Sequence, residues 1–166
     1  SGLGLLWLIW RGPEPVGIDD AWSVLFGPPD LGPADFATLV RRRSPNDALI
    51  CPAEECPNAR PDAEPPVYPV SGERLRAIVR EGALAQPRVE PLFSQRWADH
   101  DRFLARTRLL RYPDTIDIAV FGRGEGRSTL ALYSRSQIGW SDMGVNRARL
   151  YAWLAGIDAA VARAQP

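Results

Sequence analysis

Residues able to do chemistry are few in this chain and far apart. His100 is the one histidine. It lies in the polar stretch WADHDR, which predicts a solvated hairpin turn. Nucleophilic hydrolysis needs a nucleophile, a base and an orienting acid within hydrogen-bond reach, and the sequence has no G-x-S-x-G elbow. The run GRGEGR (Gly122–Arg127) imitates a dinucleotide fingerprint. However, Arg127 stands where the last glycine belongs, and the run falls between two strand candidates, so it reads as a hairpin turn. Asp114 and Asp117 are three apart, which puts them on opposite faces of a strand; Asp99 and Asp101 share parity in an expected turn. Neither pair has a reason to be shifted in pKa for acid–base work. All 20 basic residues are arginine, which excludes Schiff-base catalysis and lysine-dependent phosphate loops.

Cys51 and Cys56, in ICPAEECPN, have C-x4-C spacing. This is neither the redox C-x-x-C nor half of a zinc ribbon. A zinc site would need two further ligands that one histidine cannot supply, and no metal or other cofactor is expected. A local disulfide is the first expectation and a pair of free thiols the alternative. The disulfide would contribute roughly 2 kcal/mol in the chain-entropy model and would fit an oxidising compartment.

The remaining constellation sits where a strand candidate runs into the last helix, in SRSQIGWSDMGVNRARL (Ser134–Leu150). Strand parity puts Ser134 and Ser136 on one face and Arg135 on the other. Ser141 or Asp142 is placed to cap the helix, and Asn146, Arg147 and Arg149 occupy its first turns. Arg106 and Arg108 share a face of an earlier strand. One reading is an anion or lipid-headgroup site built from Arg106, Arg108, Arg135, Asn146, Arg147 and Arg149, since a helix N-terminus with arginine forks suits phosphate or carboxylate. The other is a structural knot, in which Asp142 caps the helix and the arginines pair with Asp114, Asp117 or the cap. A capping aspartate would fill the place an anion wants, which favours the knot.

The elements that must hold these residues are legible in outline. Ser71–Leu84 is expected as a helix capped by Ser71, with Leu75, Ile78, Val79 and Leu84 on its apolar face. Strands are expected at Arg88–Gln95, Arg102–Tyr112, Ile116–Phe121 and Ser128–Ser136, with turns at Tyr112–Thr115 and Gly122–Gly126. A final helix, Met143–Ala164, carries Leu150, Leu154, Ile157 and Val161 along one side. Short helices are expected at Asp19–Phe26 and Pro33–Val40. Residues 44–69 read as an extended arm without helix or strand. The fold class is α+β: an antiparallel meander of about four strands, covered by the C-terminal helix and one earlier helix, with an irregular proline-rich N-terminal arm. Its parts are residues 1–12, an anchor end; 13–70, the arm; and 71–166, the core, all within the size of one domain.

Most of the 16 prolines lie before residue 70, consistent with the arm. Charge is uneven: residues 1–73 carry 11 acidic and 5 basic side chains, residues 74–166 carry 9 and 15. The two parts either pack with complementary charge or leave an anion-facing surface on the later part. The basic residues are dispersed, which speaks against nucleic acid. Residues 2–10, GLGLLWLIW, are apolar or glycine. As a helix they rise only about 13 Å, short of a bilayer's ~30 Å core. Two tryptophans followed by Arg11 are membrane-exit features. Three readings stand: the end of a membrane anchor, a buried or partner-docked segment, and a signal-peptide core. In the first, Leu3, Leu5, Leu6, Trp7, Leu8, Ile9 and Trp10 contact lipid.

The run ARTRLLRYPDTIDIAVF (Ala105–Phe121) followed by Gly124–Leu150 resembles the family known as domain of unknown function 1499. The matching positions are Tyr112, Pro113, Asp114, Ser134, Ser136, Gly139, Ser141, Asp142, Gly144, Asn146 and Arg149. CPAEECPN resembles its more variable cysteine–proline region. The resemblance spans roughly residues 45–157 and implies no reaction. It does imply an N-terminal signal or membrane segment.

The expected function is a non-catalytic, membrane-tethered accessory or binding module on the periplasmic side of the inner membrane. Its expected partners are lipid, through residues 2–10, and a membrane protein complex. The alternatives are a small-molecule or lipid carrier with a cavity between sheet and C-terminal helix, and an enzyme of unknown type.

Overall fold

The alternation of Ile116, Ile118 and Val120 with Thr115, Asp117 and Ala119 sets the middle of the molecule. A computed structural model describes residues 2–93 and 100–166. In it this run lies in β4 (Pro113–Gly122), between β3 (His100–Arg106) and β5 (Ser128–Ser136). β2 (Val89–Leu92) extends the sheet beyond β3, and β1 (Asp47–Ile50) extends it beyond β5. Every neighbouring pair is antiparallel, giving the order β1-β5-β4-β3-β2.

Both faces of the sheet are covered. On one, α3 (Gly72–Leu84) and α4 (Val145–Ala164) bury Leu75, Ile78, Trp153 and Ile157 against Phe103, Ile116, Ile118 and Leu132. On the other, the arm buries Ala34, Phe36 and the cysteines against Leu49, Ala131 and Tyr133. A sheet covered twice has few solvent-facing positions, and β5 accordingly is buried along almost its whole length. Ser71 caps α3 as expected, its hydroxyl accepting from Arg74 N at 3.2 Å. On α4 the buried face is Leu150, Trp153, Ile157 and Val161, with Leu154 at its edge.

Several expectations are corrected. Residues 44–69 do contain a strand, β1, whose four residues DALI pair with Leu132–Arg135 of β5. Pro33–Val40 is not a helix. The backbone stays extended apart from one turn at Phe36–Thr38, because Ala34 N is held by Asp117 Oδ1 at 3.1 Å and Phe36 is buried against the sheet. The strand expected to reach Tyr112 ends at Arg106. Thr107 N donates to Tyr112 O at 3.1 Å and Tyr112 N to Thr107 Oγ1 at 2.9 Å, closing a turn that contains Arg108. The turn expected at Tyr112–Thr115 is therefore earlier, and Pro113–Thr115 belong to β4. His100 is not a solvated turn residue: it opens β3 and is buried. Asp101 is likewise in β3, while Trp97, Ala98 and Asp99, with Ser94 and Gln95, lie outside the described residues. GRGEGR is a hairpin turn, with Arg123 N donating to Arg127 O at 3.0 Å.

The uneven charge is resolved by pairing across the molecule. Acids of the first part meet arginines of the second: Asp30 with Arg102, Asp19 with Arg106 and Arg111, Glu54 and Glu55 with Arg123. At the start of the chain, α1 (Gly2–Arg11) and α2 (Ile18–Phe26) form a helical hairpin. Gly17 permits it, since a Cβ there would lie 2.4 Å from Gly12 O. No helix among the described residues is long and apolar enough to cross a membrane.

Candidate functional site

Two polar clusters lie on opposite faces of the central strands. The first is beneath the helices, at the corner where β5 runs into α4. Asn146, fully buried, is its hub. Its amide Nδ2 donates to Ser136 Oγ at 2.8 Å, Asp142 Oδ2 at 2.7 Å and Asn46 O at 3.2 Å. Its Oδ1 accepts from Ser134 Oγ at 2.5 Å and Arg149 Nη1 at 2.8 Å. Asp142 takes Asn146 N at 3.1 Å and Gly144 N at 2.8 Å, so it caps α4 from two residues before the Gly144 backbone cap. Gly144 has φ 82°, the left-handed conformation in which glycine carries no side-chain penalty. Ser141 Oγ accepts from Met143 N at 3.2 Å. Asn46 and Arg42, from the arm, close the cluster: Asn46 Nδ2 donates to Gly139 O at 3.0 Å, and Arg42 Nη1 to Ser136 O at 2.5 Å.

Asp114 anchors the far side of this corner. Arg149 Nη2 lies 2.8 Å from Asp114 Oδ2, close enough for an ion pair, yet neither carboxylate oxygen has a well-aligned donor. Burial pushes the Asp114 carboxyl above its ordinary range, more than Arg149 and Ser136 draw it down.

The second cluster lies beneath the arm. Arg102 and Asp117 face each other across β3 and β4, with Arg102 Nε donating to Asp117 Oδ1 at 2.9 Å. The same oxygen takes Ala34 N at 3.1 Å and lies 3.1 Å from His100 Nε2. The guanidinium forks to Asp30 at 2.5 and 3.0 Å, and the Arg102 hydrogen bond holds the Asp30 carboxyl below its ordinary range. Arg135 donates to Gly32 O and stands 4.0 Å from Asp117; desolvation lowers its pKa. His100 stacks on Phe36, ring centres 5.6 Å apart, and is 8% exposed. A substrate would reach this aspartate–histidine pair only if the arm lifted. Among the described residues no group of His, Cys, Asp and Glu is arranged to hold a metal, and Cys51 and Cys56 are joined as a disulfide.

The six residues read from sequence as an anion site are not brought together. Asn146 and Arg149 belong to the corner. Arg135 is on the opposite face of the sheet. Arg106 pairs with Asp19 and donates to Arg111 O. Arg108 is exposed in its turn, and Arg147 is exposed on the first turn of α4 beside Tyr151. The geometry is that of the knot. Sequence reasoning missed Asn46 and Arg42, which reach the corner from about 90 residues away, and Arg102 with Asp30. The signal for Arg102 was its register opposite Asp117, visible once β3 is taken to begin at His100.

Residues 40–157 match a family model described as protein of unknown function (DUF1499). The chain belongs to the DUF1499 family. The matched stretch holds the disulfide, the whole sheet, α3 and the corner. It omits α1, α2 and Asp30, so the fork on Arg102 joins the DUF1499 region to what precedes it. No curated protein matches the chain.

Proposed function

We propose that this DUF1499 protein is a non-catalytic accessory or binding module, held at the periplasmic side of the inner membrane and serving a membrane protein complex. The carrying observation is α1: apart from Arg11 its residues are apolar or glycine, and none is buried. Leu3 is 79% exposed and Trp10 80%; such a surface left in water is a contact site. Leu5, Leu6 and Trp7 are exposed too, with Leu8 and Ile9 half-buried. The disulfide fits an oxidising compartment. Both polar clusters are buried and most of their groups are spent on one another, which favours binding over catalysis.

A second reading, a lipid carrier, draws on one feature. A groove of about 410 Å³ runs between α3 and α4, lined by Ile78, Gly82, Trp153, Gly156 and Ala160 and by Arg74 and Arg163. It lies between the helices, since the space between sheet and α4 is filled by the core.

Native purification from membranes in mild detergent, with mass spectrometry of what accompanies the protein, tests both. The accessory reading expects a reproducible set of membrane proteins. An extractable lipid of one class without proteins transfers support to the carrier. A monomer that leaves the membrane empty-handed overturns both.

A further inference from the structure

We propose that the loop at the corner, Gly139–Gly144, is part of a docking surface for an anionic lipid bilayer, continuous with α1 and α2. The proposal rests on the membrane reading of α1 and extends it to a surface that the DUF1499 region itself supplies.

Four segments meet at one end of the sheet. β4 starts there, β3 and β5 finish there, and α4 begins there. α2 is fastened to the same end: Trp22 Nε1 donates to Leu110 O at 2.6 Å, and Gln137 Nε2 donates to Pro28 O at 2.5 Å. Each segment leaves large apolar side chains in water. Val24 is 85% exposed, Leu109 67%, Trp140 70% and Met143 93%. Leu25 and Phe26 are exposed beside them.

The loop is not loose. Asn46 Nδ2 grips Gly139 O, and half-buried Asp142 takes Gly144 N and Asn146 N, while Ser141 is exposed. Met143 is held at φ 53°, a conformation that side-chain-bearing residues adopt at a cost, by the Ser141 and Asp142 hydrogen bonds. The protein thus uses local hydrogen bonds and the Asn46 contact to present Met143 and Trp140 outward.

Charge selects the partner. At this end Arg43, Arg88, Arg108 and Arg147 make no ion pair among the described residues, and Arg11 Nε donates to Pro15 O while its guanidinium lies over the Trp7 ring. The exposed acids nearby are Glu14, Asp20 and Glu90, fewer than the five arginines. Elsewhere the pattern reverses, with Arg76 and Arg80 both on Asp101 and Arg123 on Glu54 and Glu55. Tryptophan with unpaired arginine is the chemistry of the headgroup layer of an anionic bilayer.

The test is sedimentation of the full chain with vesicles of phosphatidylcholine and phosphatidylglycerol in equal parts, and with phosphatidylcholine alone. Three variants are compared: Leu3→Ser with Leu6→Ser in α1; Trp140→Ser with Met143→Ser; and Arg108→Gln with Arg147→Gln. Their melting midpoints confirm the fold. The wild type should bind the mixed vesicles, and each variant should bind them about tenfold more weakly. If only the α1 variant loses binding, the membrane reading of α1 stands and the loop proposal is overturned. Equal binding to both vesicle types, unaffected by the arginine changes, also overturns it. If the wild type binds neither vesicle, both ideas fall. If it instead captures a protein through Trp140 and Met143, the surface is a protein interface and the lipid assignment is wrong.

Discussion

At the corner, Ser134, Ser136, Asp142, Asn146 and Arg149 satisfy one another in the interior. Within the same stretch of chain, Trp140 and Met143 stand in solvent. Buried polar groups that are fully paired specify a conformation, and any one left unpaired is costly. Exposed apolar groups contribute nothing to the fold and are free for an encounter. The contrast divides the labour of the motif: its polar positions fix the loop, and its apolar positions are what the loop displays. The same division holds between the charged cluster under the arm and the outward surface of α1 and α2.

The sharpest way to break this comparison is to remove a charge from the interior. Asp117→Ala leaves Arg102, which is 3% exposed, without its buried partner, and should destabilise by about 3–5 kcal/mol, read from urea unfolding. A loss near zero would mean that the cluster is wet and open, and would reinstate it as a candidate active site. Asn146→Ala should cost about 2–3 kcal/mol, since Ser134, Ser136 and Asp142 each lose a partner. Asp142→Ala should cost about 1 kcal/mol through the lost cap. If either variant kept its stability but lost a bound ligand, the corner would be a site after all. At the small end, Trp140→Ser and Leu109→Ser should stay within about 0.5 kcal/mol of the wild type; a larger loss would show these side chains packed.

Acid titration refines the account of the interior. Burial raises the Asp101 carboxyl, but its Arg76 and Arg80 bonds outweigh this and hold it below the ordinary range; Asp30 is held down by Arg102. For these two the unfolded chain binds protons more readily, so their stabilisation is present above the unfolded pKa and is lost as pH falls through the depressed folded values. Asp114, raised by burial, acts oppositely: its contribution is present at low pH and is lost as pH rises through its folded value. The urea midpoint should therefore fall on acidification. Asp101→Asn should flatten that fall, and Asp114→Asn should steepen it. An unchanged slope in Asp101→Asn would remove the pair from the account.

What could be read from sequence follows from how local its causes are. The Ser71 cap, the apolar face of α3, the Gly122–Arg127 turn and the alternation in β4 are all written within a few residues, and each is present, except that Leu84, expected on that face, is exposed and Ala83 is buried in its stead. The Asp142 cap and the opposite facing of Asp114 and Asp117 were legible for the same reason. β1 was not: DALI is too short to alternate, and it is a strand only because β5 lies beside it. The buried state of His100 was hidden because its polar neighbours suggested a turn, whereas Phe36 and Asp117, which enclose it, come from distant segments. The anion site looked plausible because parity was counted along one strand at a time. The sheet separates Arg135 from Arg149 by putting them on opposite faces.

The most direct test of the division between a fixing interior and a displaying end is amide hydrogen exchange of the full chain, with and without anionic vesicles. The account predicts that the amides of Asn146, Ser136 and the strands are slow in both conditions. New protection should appear in α1, α2, the turn at residues 107–112 and the loop at residues 137–144. Protection that appears instead along the α3–α4 groove, or in the arm over His100, would contradict it.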